Sequence, residues 1–245
     1  TGERKAVLKK WRGGGFGAPF QWSPSGDFAV FYADRHWHAL NAKDGSVRNL
    51  TASLSVSFAD EEDDTPDPAD SYGSAGWTKD RASFLAYDRF DVWQLFADGR
   101  APRNLTEGEG RKAKVIYRVE RTEPVDEEDD ERGLDPAKPL TLRGENDLTH
   151  ETGFYRDSFD GAAAPAKLVS ADRSFRYVGR AKDADALLVT AQRFDEFPDV
   201  HLTDSTFKTL TKLTNGGAQM APFLWGKAEL VSFTNSDGVP LQAGL

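Results

Sequence analysis

The sequence predicts an all-β chain: a β-propeller of four-stranded blades, about four full blades plus partial blades at both ends. Three observations predict it. First, a module recurs. Trp22 and Trp77 lie 55 residues apart, the turns Asp44-Gly45 and Asp98-Gly99 lie 54 apart, and Leu50-Thr51 and Leu105-Thr106 again lie 55 apart. A spacing held at three landmarks marks a structural repeat, and four-stranded repeats of about 40–55 residues are the signature of propeller blades. Second, the runs between landmarks are rich in aromatic and β-forming residues and are bounded by Gly, Pro and Asp turns. Third, no segment combines helical periodicity with helix caps.

Composition agrees with a folded β domain and narrows its partners. The 245 residues are 38% hydrophobic and 29% charged, which is globular rather than disordered. No apolar run approaches the ~20 residues needed to span a bilayer, so no membrane partner is expected. A net charge of −9 argues against nucleic acid, whose phosphates need clustered Lys and Arg. There is no Cys, which excludes a disulfide scaffold, a thiolate metal site and a Cys nucleophile. No cofactor is implied. The opening TGERKAVLKK reads as the end of a repeat, with Lys5 to Lys10 as an outer strand, so the chain is expected to begin inside a module.

In order, residues 11–20 form a Gly-rich connector. Gly13, Gly14, Gly15 and Gly17 raise a phosphate loop, but the flanking strand, helix and Lys-Ser/Thr pair are missing. The first repeat spans 21–51. It has a Pro24-Ser25-Gly26 turn, strands Phe28 to Ala33 and His36 to Asn41, an Asp44-Gly45 hairpin, and a closing strand Val47 to Thr51. The acidic stretch Asp60 to Asp64 raises calcium. Counted from Asp60, Thr65 stands sixth where an EF-hand loop needs Gly, and Ser71 twelfth where it needs Glu, so a solvated connection is expected.

The second repeat, 71–107, contributes strands Ala82 to Tyr87 and Phe90 to Phe96. Between them Asp88, Arg89 and Asp91 form an exposed hairpin tip. Two readings apply: a local salt bridge holding the turn, or a substrate-gating cluster. A third unit begins at 111–119 as a strand, is interrupted by an acidic insertion at 121–139, and resumes with Leu140 to Leu142, His150 to Arg156 and Ala166 to Val169. The fourth has strands Phe175 to Ala181, Ala186 to Arg193, Val200 to Thr203 and Thr209 to Thr214. A fifth starts at 219–233 with Trp225 in the Trp position. Trp22, Trp77 and Trp225 are expected in the core. Lys5 to Lys10 is the candidate to complete the fifth unit if the ring closes with five blades.

Several segments resemble the propeller domain of bacterial serine peptidases of the prolyl oligopeptidase family, the branch with dipeptidyl and acylaminoacyl peptidases. They are Tyr72-Gly73-Ser74-Ala75-Gly76-Trp77-Thr78, Tyr87-Asp88-Arg89-Phe90-Asp91-Val92-Trp93, Phe194-Asp195-Glu196-Phe197-Pro198-Asp199, Ala228-Glu229-Leu230-Val231 and Ser236-Asp237-Gly238-Val239-Pro240-Leu241-Gln242. The resemblance implies a propeller over 1–235 and the start of a crossing to an α/β-hydrolase domain over 236–245. That domain of the same parent chain and a peptide substrate are the implied partners. A periplasmic or secreted setting is the one the resemblance leans to.

The family's nucleophile sits in a Gly-x-Ser-x-Gly elbow. None occurs here; Gly73-Ser74-Ala75-Gly76 has Tyr72 where the first Gly belongs. His36, His38, His150 and His201 have no recognisable nucleophile partner. No residue of this chain is therefore assigned as catalytic, cofactor-binding or metal-binding. Glu61-Glu62 and Glu127-Glu128 are paired glutamates of the kind some dipeptidyl relatives use for a substrate amine, but they lack the surrounding motif. Asn49 and Asn104 match the glycosylation pattern, which the repeat's closing Arg-Asn-Leu-Thr explains by itself. The function expected is a non-catalytic, access-gating propeller segment. The alternatives are a stand-alone propeller that binds proteins or peptides, and a sugar- or metal-using propeller enzyme.

Overall fold

The computed structural model describes residues 6, 20–123 and 133–245. Apart from Ala6, the expected strand Lys5 to Lys10 lies outside these residues, as do the glycines of the connector and Glu127-Glu128.

Each strand-forming run pairs with its neighbour in sequence, giving antiparallel meanders. The first sheet is β1 (Gln21–Trp22), β2 (Phe28–Ala33), β3 (His36–Asn41) and β4 (Val47–Asn49), in that order. The second is β5 (Ser74–Trp77), β6 (Phe84–Tyr87), β7 (Val92–Leu95) and β8 (Arg103–Asn104). A short helix α1 (Glu109–Ala113) precedes the third sheet: β9 (Val115–Val119), β10 (Leu140–Asn146), β11 (Thr152–Asp157) and β12 (Ala166–Ala171). The fourth is β13 (Ser174–Arg180), β14 (Leu187–Arg193), β15 (Glu196–Thr203) and β16 (Thr211–Lys212). A hairpin of β17 (Leu230–Thr234) and β18 (Pro240–Gly244) follows.

The repeat found in the sequence has a hydrogen-bonded cause. In the third strand of three sheets, Trp37, Val92 and Val200 donate their backbone N–H to the hydroxyls of Thr51, Thr106 and Thr214, at 3.2, 3.2 and 2.9 Å. The preceding Leu50, Leu105 and Leu213 return N–H bonds to the carbonyls of those same three residues, at 2.8, 2.9 and 2.8 Å. The Leu-Thr pair, thirteen and fourteen residues on from its partner, thus clamps the end of the fourth strand to the third.

Two compact units divide the chain: Thr1–Val119 with Val125–Leu142 and Arg156–Ala166, and Glu120–Pro124 with Arg143–Tyr155 and Lys167–Leu245. In the first unit, Val30, Trp37, Leu50, Phe58, Trp77, Phe84 and Leu95 form one apolar cluster. Phe84 lies against both indoles, its ring centre 5.3 Å from Trp37 and 5.5 Å from Trp77. Trp77 also donates its indole N–H to Gln21 O at 2.9 Å, so one side chain supplies apolar area and a satisfied polar end. In the second unit, Phe154, Phe175, Leu187, Val189 and Phe207 form the core, with Phe154 stacked on Phe207 at 4.8 Å.

Three expectations need correcting. Trp22 and Trp225 are not core residues like Trp77: they are 55% and 52% exposed, against 6%. Trp22 sits on a two-residue strand, and Trp225 lies outside any strand, its indole N–H spent on Phe194 O at 2.8 Å. The stretch 111–119 is not wholly a strand, because residues 109–113 are helical. Asp91 accepts the backbone N–H groups of Gly110 and Arg111 at 3.0 and 3.3 Å, which fixes the first turn, and Lys114 at φ 56 ends it. A side chain at Gly110 would come 2.8 Å from Asp91 Oδ1, Phe90 O and Val115 O, so only glycine fits. Leu50-Thr51 and Phe90 lie outside the strands expected to contain them, in the clamp and the hairpin tip. In the final hairpin, Leu241 and Gln242 pair with Phe233 and Ser232 across an Asn235-to-Val239 turn.

Candidate functional site

The β6–β7 tip carries Asp88, Arg89 and Asp91, and the structure buries both carboxylates instead of exposing them. Asp88 Oδ1 accepts the N–H groups of Phe90 and Asp91 at 2.7 and 2.6 Å, and Oδ2 accepts the Trp93 indole at 3.1 Å. The Arg111 guanidinium reaches Oδ2 at 3.4 Å. A buried carboxylate demands this much satisfaction, and here it shapes the turn. Asp91 accepts the Thr106 hydroxyl at 2.7 Å as well as the first turn of α1. Burial, with the Asp88 charge adding to it, pushes the Asp91 carboxyl above its usual range. Arg89 is not the ion that holds Asp88. Its guanidinium pairs outward with Glu62 at 2.7 Å, and its carbonyl accepts Arg118 at 3.2 Å. Of the three, Arg89 alone presents a charge beside solvent.

A second feature lies in the second unit, a cleft of about 460 Å³. Three turns and the β17–β18 hairpin line it, contributing Thr149, His150, Arg173, Arg193, Phe194 and Glu229 among others. Arg173 grips Glu196 through two N–H···O bonds of 2.6 and 2.7 Å. That fork raises the Arg173 pKa and lowers that of Glu196. Arg193 pairs with Asp172 at 2.8 Å and Asp195 at 3.5 Å. Phe194 packs against Trp225 with ring centres 5.8 Å apart, and both rings remain exposed. The wall therefore offers one aromatic face, Phe194, backed by Trp225 from outside the lining, beside charges already paired.

No protein-family model matches the chain, and no curated protein does. Solved structures do resemble it. TolB from Acinetobacter baumannii aligns over 93% of this chain and 51% of its own, at 11% identity and TM-score 0.42. A Mycobacterium tuberculosis puromycin-hydrolysing peptidase aligns over 95% and 34%, at 13% and 0.49. An oligogalacturonate lyase in complex with manganese aligns over 91% and 75%, at 10% and 0.35. The chain thus spans about half of the first of these proteins and a third of the second. At such identities and TM-scores the likeness carries no activity or substrate to this chain.

A Ser or Thr nucleophile is activated by an adjacent base. Among the described residues, a histidine meets a hydroxyl only where His36 Nδ1 lies 3.0 Å from Thr51 Oγ1, and that hydroxyl is buried in the strand clamp. His38 Nδ1 and His201 Nδ1 lie against the carbonyls of His36 and Asp199, and His150 is 4.0 Å from Glu145. Ser74 to Gly76 belong to β5 rather than to a strand-to-helix elbow. No cluster of three or more His, Asp or Glu in metal-holding geometry occurs among the described residues. In the acidic connection, Asp60 and Asp63 accept N–H bonds from Glu62 and Thr65, each two residues on.

Two features escaped the sequence. Asp157 is buried with its Oδ2 unbonded, and burial pushes its carboxyl from 3.8 to about 6. Nothing in the run around it marks it. The cleft was half legible: Phe194 to Asp199 stood out as a family-like segment, while Arg173 and Trp225, its partners, lie at other turns.

Proposed function

We propose that the four-stranded sheets are blades of a β-propeller, and that this chain is the non-catalytic, access-controlling portion of a serine peptidase of prolyl oligopeptidase type. The observation that carries the reading is the clamp repeated at Thr51, Thr106 and Thr214, in the first, second and fourth sheets, which makes those three sheets copies of one module. The Ser236-Asp237-Gly238-Val239-Pro240-Leu241 segment supports the choice of family through its resemblance to that family's exit from the last blade. A propeller of this kind admits short peptides to a hydrolase domain and excludes folded protein. In that role the β6–β7 tip contributes shape through Asp88 and Asp91 and charge through Arg89. A fluorophosphonate probe applied to the full-length parent should label one serine outside these 245 residues, and the chain alone should not turn over chromogenic dipeptides. Labelling of a serine within the chain overturns the proposal.

The second reading is a stand-alone scaffold for a protein or peptide. The cleft beside Phe194 and Trp225 favours it, and a parent gene without a hydrolase elbow would select it.

A further inference from the structure

Positive charge collects at the β6–β7 tip of a chain whose net charge is −9. Arg89 Cζ, Arg111 Cζ and Lys114 Nζ stand 5.1, 5.3 and 5.2 Å from the centre of the Phe90 ring. Arg118 Cζ stands 4.6 Å from the centre of the Tyr87 ring. Aromatic faces hold cations without neutralising them. Two carboxylates face these cations and have other work: Asp88 shapes the turn and meets Arg111 at 3.4 Å, and Asp91 accepts the Thr106 hydroxyl and the first turn of α1. Arg118 spends N–H groups on the carbonyls of Tyr117 and Arg89, at 2.7 and 3.2 Å. Among the described residues no carboxylate is ion-paired with Arg118 or Lys114.

A carboxylate from the acidic connection also reaches this place. Glu62, in the acidic connection and two-thirds exposed, sets Oε1 2.7 Å from Arg89 Nη2. An exposed pair of this kind is weak and easily exchanged. We propose that the β6–β7 tip is a carboxylate-recognition site for a peptide ligand, and that Glu62 of the chain itself occupies it until the ligand's carboxylate displaces it. The observed Glu62 contact shows that a carboxylate fits this place. The choice of a peptide as its carrier rests on the access reading above.

The carboxylate has two possible sources, a peptide C-terminus or an acidic side chain, and calorimetry at low salt separates them. One probe pair is acetyl-Ala-Ala as the free acid and as the amide; the other is acetyl-Ala-Asp-Ala amide and acetyl-Ala-Asn-Ala amide. In at least one pair the carboxylate member should bind about tenfold tighter, the advantage shrinking as salt is raised. Glu62→Gln should tighten that member about two- to fivefold by removing the competitor. Lys114→Gln, an exposed change, should weaken it by a similar factor, and Arg118→Gln by more if thermal unfolding shows it folded. Equal binding within both pairs, or no gain from Glu62→Gln, overturns the inference. Such a failure leaves the peptidase reading standing, since that is judged by where the fluorophosphonate lands.

Discussion

The second and fourth sheets are built on the same hydrogen bonds and live in opposite surroundings. Asp91 and Asp199 each accept the hydroxyl of a Thr fifteen positions later, both at 2.7 Å, and each accepts a glycine N–H from the turn beyond. Yet Leu105 is 0% exposed and Leu213 is 53% exposed. Asp91 is pushed up by burial beside Asp88, whereas Asp199 is held well below the usual carboxylate range by Lys212 at 2.7 Å and then by Thr214. Geometry alone therefore does not set what a repeated motif contributes. The clamp fixes the strand register in both sheets, and packing decides how much stability rides on it.

Truncating the leucines tests this most directly. Leu105→Ala should cost ~2–5 kcal/mol, because a fully buried side chain leaves a cavity, while Leu213→Ala should stay within ~0.5 kcal/mol. Urea denaturation of both variants measures the gap, and equal losses would break the comparison. Removing the hydroxyls comes next. Thr106→Val strands the Val92 N–H and one lone pair of Asp91 in a dry site and should cost ~1–3 kcal/mol; Thr214→Val should cost less, since water reaches Val200 N. Midpoints measured at one pH check the order.

The smallest effect, and the one that sharpens the contrast, is in the pH dependence. Asp199 has a lowered folded pKa, so its stabilisation is present above the ordinary carboxylate value and is lost as pH falls through the folded one. Asp91 has a raised folded pKa, so its contribution is present at low pH and is lost as pH rises through that value. Asp199→Asn should therefore flatten the acid limb of the stability profile, and Asp91→Asn should flatten the loss on the rising side. Thermal midpoints between about pH 3 and 7 report both slopes.

Strands bounded by strong turns were legible in the sequence. Phe28 to Ala33 and His36 to Asn41 occur with the expected limits, because Pro24-Ser25-Gly26 and Asp44-Gly45 set the chain direction on either side. The Leu-Thr landmark was visible as a repeat, but its meaning required seeing Thr51, Thr106 and Thr214 beneath the third strand. The helix at 109–113 was hidden because its first turn is held by Asp91, some twenty residues away, and not by a local cap. The burial of Asp88 and Asp91 was hidden for a related reason. A polar tip reads as exposed unless one knows that Phe90, Trp93 and Arg111 close over it. Trp22 and Trp225 misled because equivalent sequence positions need not have equivalent neighbours.

Every described sheet is a meander, with each strand bonded to the strands before and after it. The second sheet closes between Ser74 and Asn104 with no strand borrowed from elsewhere. Pairings this close in sequence ask for little loop-closure entropy, so each sheet can begin to assemble as soon as its own segment has been synthesised. The same locality makes a sheet portable. Duplicating one stretch of DNA copies a whole hydrogen-bonded unit, clamp included, and leaves only its outer faces to be fitted to new neighbours.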